Sequence, residues 1–326
     1  MAANLPTPPA TANPMPPGWP ARIRALAAGR LTPVTPRQAA TVVLLRDPVL
    51  RGPLPGGPAP AAGPVTGPDA AAVEPSGPQA YLLRRKSSMA FAGGMYAYPG
   101  GGVDPRDAEQ PPAWAGPGPD AWAARLGTDR ATAQAVVCAA LRETFEEAGV
   151  LLAGPDERTI APERDWSAER AALEAHQLSF ADFCREHGLV LRTDLLAGWA
   201  RWITPAFEER RYDTWFFVAA LPPGQRAARE VGEADRVAWL TPAEAVRGHA
   251  EGRYGMLPPT VSVLRELLPA RSARQALELA ERRTLTPVLG QAEVMGDRMT
   301  IRWSGYEELT IDGDYPEEGL PADDPQ

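Results

Sequence analysis

The chain has 326 residues and is 44% hydrophobic, which can bury a sizeable core in one large domain or two smaller ones. Its net charge of −8 lacks the basic surplus of a nucleic-acid binder, so no nucleic-acid partner is expected, although local arginines and a metal can still offset the global sign for an anionic small molecule. Two cysteines, Cys138 and Cys184, are too few for a disulfide framework, no apolar run reaches membrane-span length, and the first twenty residues lack a signal-peptide pattern; the expectation is a soluble, cytoplasmic protein with no membrane partner.

Residues 1 to 37 are Pro/Ala-rich and read as a disordered tail, with a short helix at Ala21–Ala28. The β-branched run Ala40–Leu45 gives a strand, and Ala80–Arg84 its hairpin partner. Between them lies a Pro/Gly-rich insertion at about 52–78, tolerated because lengthening a loop costs little. Met95–Tyr98 leads into a glycine-rich turn, Pro99–Asp104, and a second Pro/Gly-rich insertion spans about 109–127. Thr128 or Asp129 caps a helix that runs to about Ala148 and stops at Gly149. Val137, Leu141 and Phe145, with Cys138 and Ala148, mark its buried stripe. Helices are also expected at about Ala168–His187 and Asp194–Arg201, and strands at Trp202–Pro205, Thr214–Leu221 and Arg236–Leu240. Helices at Pro242–Ala250, Pro259–Leu268 and Ser272–Arg283 follow, then a hairpin at Val294–Trp303 and an acidic tail.

The chemistry concentrates in Arg142–Val150, RETFEEAGV. On a helix Glu143, Glu146 and Glu147 stand at i, i+3 and i+4 and share one face. From the charges alone a solvated acidic face accounts for them equally well. Like charges at this spacing repel, however, and the backbone dipole disfavours anions in the last turns of a helix. A hard divalent cation with oxygen ligands, Mg²⁺ or Mn²⁺, relieves both penalties. Arg142 reaches Glu146 at i+4 and can orient it. His176, His187 and His249 are isolated and show no ligand spacing.

RETFEEAGV resembles the second half of the Nudix box, and Pro99-Gly100-Gly101 resembles its start. Gly101 stands for the box's first glycine, and Asp107 falls where the family has a glutamate. Arg142 follows Asp107 by 35 positions where the box has eight, an insertion of 27 residues, and Thr144 replaces an aliphatic residue. The chain is similar to a Nudix subgroup, related to peroxisomal coenzyme A diphosphatases, that carries a long insertion at this point. The similarity extends through Trp202–Phe217, Glu233–Ala245 and Leu257–Leu267, together most of residues 38–270. An arginine signature found upstream of the box in some coenzyme A pyrophosphatases is absent, since Ala90 or Phe91 stands in its place.

This resemblance implies a Nudix fold, an α/β/α sandwich around a mixed sheet, over residues 38–270, with a C-terminal helical extension over 271–326. It implies hydrolysis of the pyrophosphate of a nucleoside diphosphate linked to another moiety, foremost coenzyme A or acyl-CoA to 3′,5′-ADP and a phosphopantetheine. ADP-ribose, NADH and nucleotide sugars compete within the fold, and a non-catalytic nucleotide-binding module is the alternative outside enzymology. Carried over by position, Glu143, Glu146, Glu147 and the Gly101 carbonyl hold Mg²⁺ or Mn²⁺, with Glu143 as alternative base and Arg142 in support. Glu233, and after it Glu230, is the candidate for a completing carboxylate. Arg210 and Arg211, before the TWFF strand, are candidates for phosphate recognition, with surface salt bridges the plain alternative.

Overall fold

The structure, a computed structural model, describes residues 18–48, 77–89, 92–109, 112–229, 232, 234–306 and 309–312. The insertion at 52–76, Ala90 and Phe91, Glu230, Glu233 and the acidic end lie outside the described residues.

Helix α1 (Trp19–Ala27) precedes strands β1 (Arg37–Arg46), β2 (Gln79–Arg85), β3 (Tyr96–Ala97) and β4 (Gly100–Gly102). Helix α2 (Pro105–Glu109), β5 (Trp114–Ala115), α3 (Pro119–Leu126) and the long α4 (Arg130–Ala148) follow. Then come β6 (Ala153–Gly154), α5 (Ser167–Glu174), α6 (Phe180–Glu186), β7 (Val190–Arg192), β8 (Leu196–Ile203), β9 (Tyr212–Ala220) and β10 (Ala234–Leu240). The chain closes with α7 (Pro242–Ala250), α8 (Pro258–Leu267), α9 (Ala273–Glu281), β11 (Pro287–Leu289), β12 (Gln291–Met295), β13 (Arg298–Arg302) and β14 (Leu309–Asp312).

The main sheet runs β10-β2-β1-β9-β8-β11, with β3 beside β2 and β4 beside β1. It is mixed: β1 pairs parallel with β9 and antiparallel with β2, and β11 adds parallel to β8. Both faces are covered, which explains why its strands read as continuous apolar runs. Ala40, Val42 and Leu44 of β1 enter one core with Trp215 and Phe217 of β9, packed by α3, α4, α5 and α6. Val43 and Leu45 enter the other with Phe216 and Val218, packed by α7, α8, α9, α1 and β13. This is the α/β/α sandwich expected. Within the stretch expected to be a tail, α1 inserts Ile23 and Ala25 into the second core.

Three expectations need correction. The Pro/Gly-rich 109–127 segment contains a docked helix: Gly118 and Pro119 open α3, Trp122 and Leu126 face α4, and Gly127 closes it with φ +65. The punctuation that read as a loop is a start and a stop signal eight residues apart. The segment expected as a helix at Asp194–Arg201 opens with a single 3₁₀ turn at Thr193–Leu195 and is strand β8 from Leu196, whose mostly apolar run lies between β9 and β11. The expected helix over 168–187 is two, α5 and α6, broken where His176 takes φ +55. The terminal hairpin is present as β12 and β13, extended by β14.

Candidate active site

The site forms where α4 crosses β4. Asp129 caps α4 by accepting from the Thr132 N–H at 2.9 Å, and Gly149 ends it in the left-handed region. Every residue from Ala133 to Ala148 is buried, so α4 has no solvated acidic face. That removes the plain alternative of surface decoration, and it leaves Glu143, Glu146 and Glu147 each under a tenth exposed. Helix α3, α5 and the small sheet β5-β7-β6 supply the extra cover, all from segments inserted within and after the box.

Arg142 is the hub. It donates to Asp107 from Nε at 3.0 Å and Nη2 at 3.0 Å, to Glu143 from Nη1 at 2.8 Å, and to Glu146 from Nη1 at 3.2 Å. Its Nη2 also reaches the Gly102 carbonyl at 2.9 Å. The two halves of the interrupted box therefore meet, Asp107 and Arg142 forming a buried ion pair across 35 positions of chain. Glu147 turns toward the glycine strand and accepts from the Gly100 N–H at 2.7 Å. Thr144 is fully buried and returns its hydroxyl to the Ala140 carbonyl at 2.7 Å.

The glycine run is a strand rather than a turn, with Gly101 opposite Ala40 of β1 and Gly100 opposite Thr41. Neither glycine has positive φ, so conformational freedom is not the requirement. Space is: a Cβ on Gly101 would fall inside the Glu143 carboxylate, and one on Gly100 would lie 2.5 Å from Thr41 Oγ1. Only glycine lets β4 lie against the glutamate face.

Burial pushes the Glu143 carboxyl up to about 7, with Arg142 opposing and Glu146 reinforcing the shift. Burial likewise raises the Glu146 and Asp107 carboxyls from their ordinary values, against the pull of Arg142. For Arg142, burial favours the neutral form, but Glu143 and Asp107 outweigh it and hold the guanidinium charged. Asp104, outside this cluster, is held low by Arg106 and bonds to it through both oxygens at 3.0 and 2.6 Å.

A divalent cation suits this donor set chemically. Of four buried carboxylates, Asp107, Glu143 and Glu146 share the one enclosed guanidinium of Arg142 while Glu147 turns to the Gly100 N–H, and buried charge in surplus of one sign calls for a counter-ion. Among the described residues, however, no three His, Cys, Asp or Glu groups converge closely enough to hold a metal ion. The glutamates share a patch without a preformed cage.

The other candidates are dispersed. Arg211 is buried and donates to the Thr204 and Val34 carbonyls at 3.0 and 2.7 Å, so its guanidinium fastens a loop to the segment before β1; this corrects the phosphate-binding expectation for it. Arg210 is exposed. Cys138 and Cys184 are free and buried, and burial pushes the Cys184 thiol up to about 12. His187 packs on Trp166 at 4.9 Å, and His249 Nδ1 lies 3.0 Å from the Tyr254 carbonyl. Sequence reading missed Arg170, which reaches the Glu146 carbonyl from α5; no local motif signals a contact 24 residues away. Among the described residues no helix is long and apolar enough to cross a membrane.

Comparisons with known proteins agree with this geometry. A family profile described as NUDT19 Nudix domain matches residues 120–267. A chicken (Gallus gallus) protein named acyl-coenzyme A diphosphatase NUDT19 is 27% identical over 310 residues, 76% of this chain and 80% of its own length. The Xenopus laevis protein of the same name is 26% identical over 178 residues, a match that spans 48% of this chain and only 47% of the frog protein. A crystal structure of a Nudix hydrolase from Alicyclobacillus acidocaldarius superposes with a TM-score of 0.56 at 25% identity, covering 78% of this chain and 98% of that one. With the mixed sheet, the pairing of Asp107 with Arg142 and these likenesses, the chain has a Nudix-type fold and is similar to Nudix hydrolases, the family profile matching residues 120–267.

Proposed function

We propose that this protein is a divalent-metal-dependent pyrophosphohydrolase that cleaves coenzyme A or an acyl derivative to 3′,5′-ADP and the corresponding phosphopantetheine. The observation that carries the reaction type is the buried carboxylate patch at the end of α4, held by Arg142 and closed by glycine-only β4. The substrate class rests on relatives whose names read acyl-coenzyme A diphosphatase.

Glu146, Glu147 and the Gly101 carbonyl would hold the ion, with Glu143 either a further ligand or the base, and the ion when bound would neutralise the pyrophosphate and the departing phosphate. The protein's own contribution is positional. Arg142 restrains Glu143 and Glu146 and is itself restrained by Asp107 and the Gly102 carbonyl, so ligands and support form one network. The Gly100 N–H donates to the Glu147 carboxylate at 2.7 Å and orients it against β4. A raised carboxyl such as Glu143 suits a base that accepts the proton of the attacking water as one P–O bond forms and the bridging P–O bond breaks. The oxygen of that bridge leaves with the second phosphate, and both products carry a new terminal phosphate group.

The test is a product-resolved screen of coenzyme A, an acyl-CoA, ADP-ribose, NADH and a nucleotide sugar with Mg²⁺ and with Mn²⁺. Release of 3′,5′-ADP from coenzyme A at the highest kcat/KM of the set is expected. Turnover of ADP-ribose but not coenzyme A retires the substrate assignment and keeps the reaction type.

A further inference from the structure

The last four carbonyls of a helix have no partner within it, and at the end of α4 they belong to the same turn that carries Glu146 and Glu147. Three outside groups take them up. The Gly149 N–H bonds to the Phe145 carbonyl at 2.9 Å, and the Ala228 N–H bonds to the Ala148 carbonyl at 2.7 Å. The Glu146 carbonyl receives two donors from one side chain, Arg170 Nη2 at 2.5 Å and Nε at 3.2 Å. We propose that Arg170 is a positioning residue that fixes the glutamate-bearing turn of α4. This rests on the reading that Glu146 and Glu147 form the metal site.

The placement of Arg170 is itself built. Its own N–H bonds to the Trp166 carbonyl at 2.9 Å, and Trp166 packs edge-on against Phe145 of α4 and Phe183 of α6, with centroids 6.2 and 5.1 Å apart. Leu173 is buried in the same core. Residues 166, 170 and 173 follow helical spacing, so the two anchors on either side aim Arg170 at the end of α4. Gly149 makes the approach possible, because it takes φ +66 and a Cβ there would sit 3.1 Å from Arg170 Nη1. The capping loop is held from its other side, where the Tyr81 hydroxyl donates to the Ala228 carbonyl at 3.0 Å.

Charge gives the arrangement its purpose. The carbonyl end of a helix is negative, and here two glutamate side chains add to it. Arg142 is consumed by Asp107, Glu143 and Glu146, so Arg170 supplies a second cation, bound at the Glu146 backbone carbonyl. A planar guanidinium can place two N–H groups on one carbonyl; a lysine keeps the charge but not the fork.

The experiment is hydrogen–deuterium exchange on metal-free wild type, Arg170→Gln and Arg170→Lys, alongside kcat and KM. Peptides covering residues 143–150 should exchange about five- to tenfold faster in Arg170→Gln, with Arg170→Lys between it and wild type and β1 and β9 unchanged. On any substrate that the wild type cleaves, kcat should fall more than KM rises, with lysine recovering part of it. Wild-type exchange over 143–150 in Arg170→Gln, or acceleration spread equally over the sheet, overturns the proposal. Because exchange is read without metal, it decides this point even if wild type binds no Mn²⁺, an outcome that would sink the metal-site reading instead.

Discussion

Arg142 offers the sharpest energetic test, because one guanidinium serves three buried carboxylates. In Arg142→Gln, Asp107, Glu143 and Glu146 lose the cation that each pairs with, at 3.0, 2.8 and 3.2 Å in the native protein. Removing one partner of a buried ion pair costs about 3–5 kcal/mol, against total stabilities of about 5–15 kcal/mol. Glutamine retains some hydrogen bonds, so the lower end of that range is expected at neutral pH in EDTA. The pH dependence has a definite sign. Burial already raises the three carboxyls in the folded state, and loss of Arg142 raises them further above their unfolded values. A group raised on folding stabilises fully below its unfolded pKa and loses that contribution as pH rises through the folded one. The gap between wild type and variant should therefore be widest near pH 7.5 and narrow toward pH 5, and Mn²⁺ should narrow it at neutral pH. Urea unfolding at both pH values, with EDTA and with Mn²⁺, measures it. A gap under about 1 kcal/mol at pH 7.5, the scale of an exposed pair, or one of equal size at pH 5, would refute the reasoning.

Further outcomes follow from single contacts. Gly101→Ala should place a methyl in the Glu143 carboxylate, destabilise by about 1–3 kcal/mol and abolish most activity with the far-UV spectrum kept; a fully active variant would show that β4 need not lie so close. Metal-free wild type should lose stability as pH rises from about 4.5 toward about 7 through the Glu143 contribution, and Glu143→Gln should flatten that slope in the same denaturation series. Thr144→Val, which restores the aliphatic residue of the box, should change stability by less than about 1 kcal/mol, because the Thr144 hydroxyl only returns to the Ala140 carbonyl of its own helix.

Much of the fold was legible because its strands and caps are locally encoded. The apolar runs around Val42 and Phe217, the Asp129 cap and the Gly149 stop each state their element within a few residues. What local reading could not supply were the consequences of packing. Helix α4 looked one-sided because its alanines and small residues carry little hydrophobic signal, yet the insertions cover its other faces and bury it all round. Helix α3 was hidden by the glycines and prolines that bound it, and β8 by an apolar run that suits a buried helix as well as a doubly covered strand. In the candidate site, the shared face of the glutamates was legible from their spacing, whereas the Arg142–Asp107 pair, the Arg170 contact and the bonds of Arg211 to backbone carbonyls depend on contacts between distant segments. The role of the glycine run also changed, from a turn requirement to the clearance that Glu143 needs.

The central claim is that the buried glutamates at the end of α4 bind a divalent ion that the reaction requires. Titration of Mn²⁺ followed by electron paramagnetic resonance, paired with coenzyme A hydrolysis, for wild type and Glu147→Gln tests it most directly. Wild type should bind Mn²⁺ and lose turnover in EDTA, and Glu147→Gln should weaken binding and lower kcat by about 10²-fold or more while folding normally. Metal binding and turnover in Glu147→Gln equal to wild type would contradict it.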